Sequence, residues 1–249
     1  MGTALVTGAS SGLGRELAVL LAARGESVVA VARSRDALDE LAASSPRIST
    51  LVADLATEAG RASVAERAED IDILVNNAGF GAAGDVAVLG AQLQDRMVEL
   101  NVLALTDLTA RCVPGMVARG AGRILNVGST AAFQPGPGMA VYFATKAYVL
   151  SFTEALAEEL RGTGVTATAF CPGAFRSGFQ RVAGTEHHRF YSGTRIPDAP
   201  AMAHAALSAM DRGQVVAVPG ALNWLGSVAP RVAPRGVVRR MVHWVQSGA

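Results

Sequence analysis

Cysteine, aromatic side chains and surplus charge are all scarce in this chain of 249 residues. Its two cysteines, Cys112 and Cys171, are too few for a disulfide scaffold. Each falls in an apolar run, where a thiol behaves as a small buried group. A formal net charge of +1 excludes the clustered excess of Lys and Arg that follows a phosphate backbone, so no nucleic-acid partner is expected. No apolar stretch is both long and charge-free enough to span a bilayer. Met1-Gly2-Thr3 runs straight into a strand-like segment, and Val6 stands where a myristoylation signal needs Ser or Thr. Neither a leader nor a lipid anchor is expected, and a soluble cytoplasmic protein is the expectation left. His187 and His188 are adjacent, so they do not form a helix-face pair, and no cysteine accompanies them. No metal site is expected.

Apolar residues, by contrast, make up 50% of the chain. That is ample for one large core, and residues 1–249 read as a single unit. Apolar, β-prone runs at 3–7, 27–32, 48–53, 71–76, 122–127, 165–171 and 214–218 alternate with helical patterns at 12–24, 34–43, 57–68, 91–119 and 140–162. Alternation of this kind predicts an α/β fold, a doubly wound parallel sheet with helices on both faces. Gly25 and Gly120 stand where C-capping glycines end helices. Residues 172–212 have a mixed pattern and read as a mobile substrate-loop region, and 220–249 form a tail.

Two local constellations carry chemistry. Thr3-Ala4-Leu5-Val6-Thr7 is followed by Gly8-Ala9-Ser10-Ser11-Gly12-Leu13-Gly14 and then by Leu17, Leu20 and Leu21 at helical spacing. A strand, a glycine turn and a helix start form an anion site, because unpaired amides point at a pyrophosphate that glycines allow to approach. Tyr142 and Lys146 lie four apart in a helical run and project from one face. A phenol is a poor acid or base at neutral pH, and an ammonium beside it favours the phenolate. Gly8, Arg33, Asp54, Asn77, Ser129 and Pro172 each follow the end of a different expected strand. That edge is where ligands bind in such sheets.

With these segments in view, the chain resembles the short-chain dehydrogenases/reductases. The matching residues are Thr7-Gly8-x-x-x-Gly12-x-Gly14, Asp54-Leu55, Asn76-Asn77-Ala78-Gly79, Asn101, Ser129, Tyr142-x-x-x-Lys146 and Pro172-Gly173. The resemblance implies a catalytic set of Ser129, Tyr142, Lys146 and Asn101. Ser129 would bond the substrate oxygen, Tyr142 would exchange its proton, and Asn101 would hold a water that links Lys146 to solvent. It further implies a cofactor held by Gly8, Ser10, Ser11, Gly12, Leu13 and Gly14 at the pyrophosphate. Asp54 and Leu55 would meet the adenine and Asn77, Ala78 and Gly79 the adenosine ribose. Tyr142 and Lys146 would bond the nicotinamide ribose, and Pro172, Gly173, Phe175 and Ser177 would border the nicotinamide. A satisfied core amide at Asn101 and a helix cap at Asp54 are the bland alternatives. A homodimer or homotetramer is also implied.

Ala32 at the end of the second strand, followed by Arg33 and Ser34, leaves room for a 2′-phosphate and offers it a guanidinium fork, so NADP (NADPH) is favoured over NAD. Asp36 is expected in the first turn of the next helix. Phe80, Ala131, Phe133, Met139, Phe175, Phe179, Phe190 and Tyr191 are expected to wall the pocket, which points to a small apolar ketone, aldehyde or secondary alcohol. Arg176, Arg181 and Arg189 keep a phosphorylated or carrier-bound substrate open. In the tail, Pro234 opens a helix with Val237, Val238, Met241, Val242 and Val245 on one face, expected to pack within the protein rather than on a membrane. The reading is an NADPH-dependent oxidoreductase. An NAD-dependent alcohol dehydrogenase and a non-catalytic NADP-sensing module are the alternatives.

Overall fold

Seven runs rich in Val, Ile, Leu and Ala become parallel strands in the computed structural model, which describes residues 2–185 and 196–246. They are β1 (Thr3–Thr7), β2 (Ser27–Ala32), β3 (Ile48–Val52), β4 (Ile73–Asn76), β5 (Gly122–Val127), β6 (Val165–Phe170) and β7 (Val216–Ala217). They form one sheet in the order β3-β2-β1-β4-β5-β6-β7, with every neighbouring pair parallel. Chain direction reverses its spread between β1 and β4, so the doubly wound sheet opens a crevice there. Four strands are shorter than their apolar runs. Their flanks still bond: the Ala53 amide donates to Ala32 (2.9 Å) and the Cys171 amide to Ala217 (2.8 Å).

Strand residues alternate between two cores, as a pleated strand requires. On one face Val6, Val28 and Leu125 meet α1 (Gly12–Ala23) and α8 (Ala199–Asp211) through Leu17, Leu21, Leu207 and Met210. On the other, Leu5, Val29 and Ile124 meet Leu108, Cys112 and Met116 of α5 (Leu105–Arg119), with Leu156 of α6 (Ala140–Glu159). Both cysteines are buried and free. α2 (Arg35–Ala43) carries Asp36 in its first turn, and α3 (Glu58–Ala65) is capped by Thr57, which accepts from the Gly60 amide at 3.0 Å.

Three departures from the sequence pattern bear on the site. The helix expected over 91–119 is α4 (Ala91–Val98), a π-helical segment Glu99–Ala104, and then α5. Three helices lie where no element was expected: α7 (Phe179–Ala183), α8 and α9 (Ala221–Val232). α8 draws its buried face mostly from alanine, capped by Asp198 accepting from Ala201 (3.0 Å). α10 (Arg235–Gln246) starts after Pro234 as expected. Its apolar face, however, divides: Val238 and Val242 are buried, whereas Val237 and Met241 are exposed.

Candidate active site

The turn from β1 into α1 is possible only for glycine at several places. Gly8 and Gly12 adopt φ of +66° and +54°, a region that a Cβ disfavours. A Cβ on Gly14 would stand 2.3 Å from the Gly8 carbonyl oxygen and 2.4 Å from Asn77 Nδ2. Ser11 precedes α1 in extended conformation, and its side chain does not cap the helix. The first-turn amides therefore keep their unpaired hydrogens, with no acidic side chain among them. A glycine cradle and an uncapped helix start fit the pyrophosphate of a dinucleotide.

The loop after β4 braces this cradle. Thr7 Oγ1 accepts from the Asn77 and Ala78 amides (2.9 and 3.0 Å), and Asn77 Nδ2 donates to the Thr7 carbonyl (2.9 Å). Below it, Asn76 donates to Thr109 Oγ1 and Asn126 Oδ1, and Asn126 donates to Thr153 Oγ1, all at 2.9–3.0 Å. This buried ladder ties α5 and α6 to β4 and β5. Nothing in the sequence pattern marks Thr109, Asn126 or Thr153 as a group, because they meet only through the fold.

Arg33 and Ser34 stand exposed at the end of β2. Asp54 follows β3, and its carboxylate accepts from Arg96 Nη2 (2.9 Å) and from the Ala56 amide (3.1 Å). Partial burial pushes the Asp54 carboxyl up. The Arg96 bond, the Ala56 amide and the charges of Arg96 and Arg33 outweigh that and hold it below the usual range. Thr57, not Asp54, is the helix cap.

Across the crevice, α6 presents Tyr142 and Lys146. Lys146 Nζ donates to the Val127 carbonyl at 2.8 Å and lies 5.8 Å from the Tyr142 ring centroid. Burial brings its pKa down from 10.5 to about 8. Ser129 starts a short turn, where its Oγ accepts from the Ala131 amide (3.1 Å) and keeps its own hydrogen to donate. Asn101 lies in the π-helical segment and is 2% exposed. It donates to the Phe80 carbonyl (2.9 Å) and to Thr145 Oγ1 (3.1 Å), and accepts from the Phe80 amide (3.0 Å). A Cβ on Gly79 would stand 2.9 Å from Asn101 Oδ1 and 3.8 Å from Lys146 Nζ. Asn101 is thus a satisfied amide that fixes the loop over Lys146.

One cavity of about 390 Å³ joins these parts. Gly8, Ser11, Gly12, Leu13 and Asn77 to Gly79 line it on the side of the glycine turn, and Ser129, Tyr142 and Lys146 on the side of α6. Pro172, Gly173, Phe175 and Ser177 also line it. It stops short of Ser10, Gly14, Arg33, Ser34, Asp54, Leu55 and Asn101. Phe80, Ala131, Met139 and Phe179 form the expected apolar wall, and the Phe179 ring centroid is 5.3 Å from that of Tyr142. Phe133 departs from expectation: it packs against Ala132, Leu150 and Cys171, on the sheet side of its turn. His187, His188, Arg189, Phe190 and Tyr191 lie outside the described residues. Arg181, named from the sequence, lines the cavity, and so do Gln134, Phe143, Thr185 and Gln246, without any motif to announce them.

The short chain dehydrogenase family model matches residues 2–187. This chain is a short-chain dehydrogenase. Family membership makes it a nicotinamide-dependent oxidoreductase. It is 36% identical over 183 residues to an uncharacterized short-chain type dehydrogenase/reductase of Sinorhizobium fredii, covering 72% of each chain. Among solved structures it resembles a short-chain dehydrogenase from Sphingobium yanoikuyae in complex with NADPH (35% identity, 93% of each chain, TM-score 0.83). It also resembles the bulky-bulky ketone specific alcohol dehydrogenase from Comamonas testosteroni (33% identity, 100% of this chain and 97% of that one, TM-score 0.79). A 3-ketoacyl-(acyl-carrier-protein) reductase from Brucella melitensis, 31% identical over 87% of this chain and 95% of its own (TM-score 0.79), is complexed with NADH. The dehydrogenase fold therefore accommodates either cofactor, and the choice falls to local residues. Among the described residues no helix is long and apolar enough to cross a membrane, and no cluster of His, Cys, Asp and Glu suits a metal ion.

Proposed function

We propose that this dehydrogenase reduces an apolar ketone or aldehyde, bulkier than the small one expected from the sequence, with NADPH, or oxidises the matching secondary alcohol, and that Tyr142 carries the proton. The observation that carries this reading is the shared cavity. Tyr142, Ser129 and Lys146 face the same space as the glycine cradle, against a wall of Phe80, Met139, Phe143 and Phe179. The specificity of the Comamonas testosteroni enzyme for bulky ketones supports the substrate class, and the NADPH held by the Sphingobium yanoikuyae enzyme supports the cofactor.

Bound NADPH would supply the hydride for the carbonyl carbon. Every other task falls to side chains of this chain. Ser129 donates to the carbonyl oxygen and fixes its position. Tyr142 gives that oxygen its proton, and the Lys146 ammonium stabilises the charge left on the phenol oxygen. The amides at the start of α1 would hold the pyrophosphate, and Arg33 would grip the 2′-phosphate beyond it. Exposed Val98, Leu103, Val117 and Tyr148 on the outer helices support a homodimer or homotetramer.

The cofactor assignment is tested by comparing kcat/KM for NADPH and NADH in wild type and Arg33→Ala. Wild type is expected to favour NADPH, and the variant to lose about ten- to a hundredfold of that preference, the worth of a charged hydrogen bond. A wild-type preference for NADH contradicts the assignment.

A further inference from the structure

Most of the wall around Tyr142 is apolar, yet two of the residues that line the cavity, Thr185 and Gln246, each carry a buried side-chain oxygen without a partner. Thr185 is 2% exposed and Gln246 7% exposed, and both line the cavity. Among the described residues, neither the Thr185 hydroxyl oxygen nor the Gln246 amide oxygen makes a hydrogen bond. Buried polar groups in folded proteins are nearly always met by something. A pair of unmet ones in the wall of a substrate-sized space points to a ligand that meets them once the two side chains turn toward it.

Both groups are held by ordered structure. Gln246 ends α10, whose Val238 and Val242 pack into one cluster with Tyr142 and Met139. Thr185 follows α7, where its amide donates to the Gln180 carbonyl (3.0 Å). Backbone bonds bring the two regions together: Ala83 donates to Ala183 (2.9 Å) and Gly84 to Gly138 (2.7 Å). Gln246 Oε1 lies 3.8 Å from the point where a Gly138 Cβ would stand.

We propose that Thr185 and Gln246 form a polar subsite for a neutral hydrogen-bonding group, a hydroxyl or an amide, that the substrate carries away from its reacting carbonyl. The inference rests on reading the Tyr142 cavity as the substrate site. A hydroxyl and a carboxamide both donate and accept, and neither carries charge. Their match is therefore a neutral group; an anionic one would be served by the exposed Arg181 instead.

The test measures kcat/KM for 3- and 4-hydroxybenzophenone against their methyl counterparts, with calorimetric Kd values on the NADP-loaded protein. Wild type is expected to favour the hydroxy ketone in at least one pair by roughly three- to tenfold, the effect of one neutral hydrogen bond. Gln246→Met and Thr185→Val should each bring that ratio toward one, while Thr185→Ser, which keeps the hydroxyl, should preserve it. A wild-type ratio of one, or a ratio that survives both apolar variants, overturns the subsite. If no ketone turns over but the Kd ratio responds to Gln246→Met, the subsite stands and the ketone reductase reading falls. If the Kd ratio does not respond either, the subsite falls with it.

Discussion

Lys146 is placed where its charge is useful and costly at once. The spacing from Tyr142 was readable from one helical turn of sequence, but the burial of the amine was not, since it depends on the Val127 carbonyl and on Asn101 holding the loop above. Its pKa falls from 10.5 to about 8 because burial disfavours the charged form. Below pH 8 both folded and unfolded chains hold the proton, and folding bears the full desolvation cost. Between about 8 and 10.5 only the unfolded chain binds it, so this group's contribution to stability rises with pH and the cost is gone above 10.5. The gap corresponds to about 3 kcal/mol. Lys146→Met, which also leaves the Val127 carbonyl unpaired, is expected to stabilise the cofactor-free protein by about 1–3 kcal/mol at pH 7 while turnover is lost. That advantage should shrink as pH approaches 10.5. Urea unfolding at pH 7 and pH 10 checks this, and a variant less stable than wild type at pH 7 contradicts it. Asp54 shows the opposite limit of residue-level reading: its position after β3 was evident, but its ion pair with Arg96 was not.

At the scale of elements, the interruption between α4 and α5 matters most. Residues 91–119 keep helical spacing throughout, so the sequence shows one helix. The π-helical turn at Glu99–Ala104 is visible only when Asn101 is seen turned toward the Phe80 backbone. Such turns often mark functional positions. Asn101→Ala leaves the partly buried Phe80 amide and carbonyl without their partner and is expected to cost about 1–3 kcal/mol. A denaturation midpoint equal to that of wild type would show that the amide does not hold the loop. α8 escaped notice for another reason. Its buried face relies on alanine, which gives a weak amphipathic signal, whereas α10 is announced by Pro234 and its valines.

Across the whole molecule, topology converts scattered motifs into one site. The ends of six parallel strands bring Gly8, Arg33, Asp54, Asn77, Ser129 and Pro172 to a single edge, and strand-by-strand reading predicts that edge well. The return of the tail is a different matter. Gln246 reaches a cavity whose other walls lie more than fifty residues earlier in the chain, a closure that no local pattern encodes. On the proposed reading, strands and the glycine turn would place the cofactor, α6 and the turn at Ser129 the proton, and α7 and α10 would shape what enters. The most direct test of this arrangement is NADPH oxidation by the wild type and by Tyr142→Phe over a panel of aryl ketones, with NADPH affinity measured by fluorescence on both. Turnover should fall at least about a thousandfold in the variant, in line with loss of a positioned general acid and the oxygen contact it makes, while NADPH binding stays within about threefold, since only one contact to the cofactor is lost. Near-wild-type turnover by Tyr142→Phe would contradict the account.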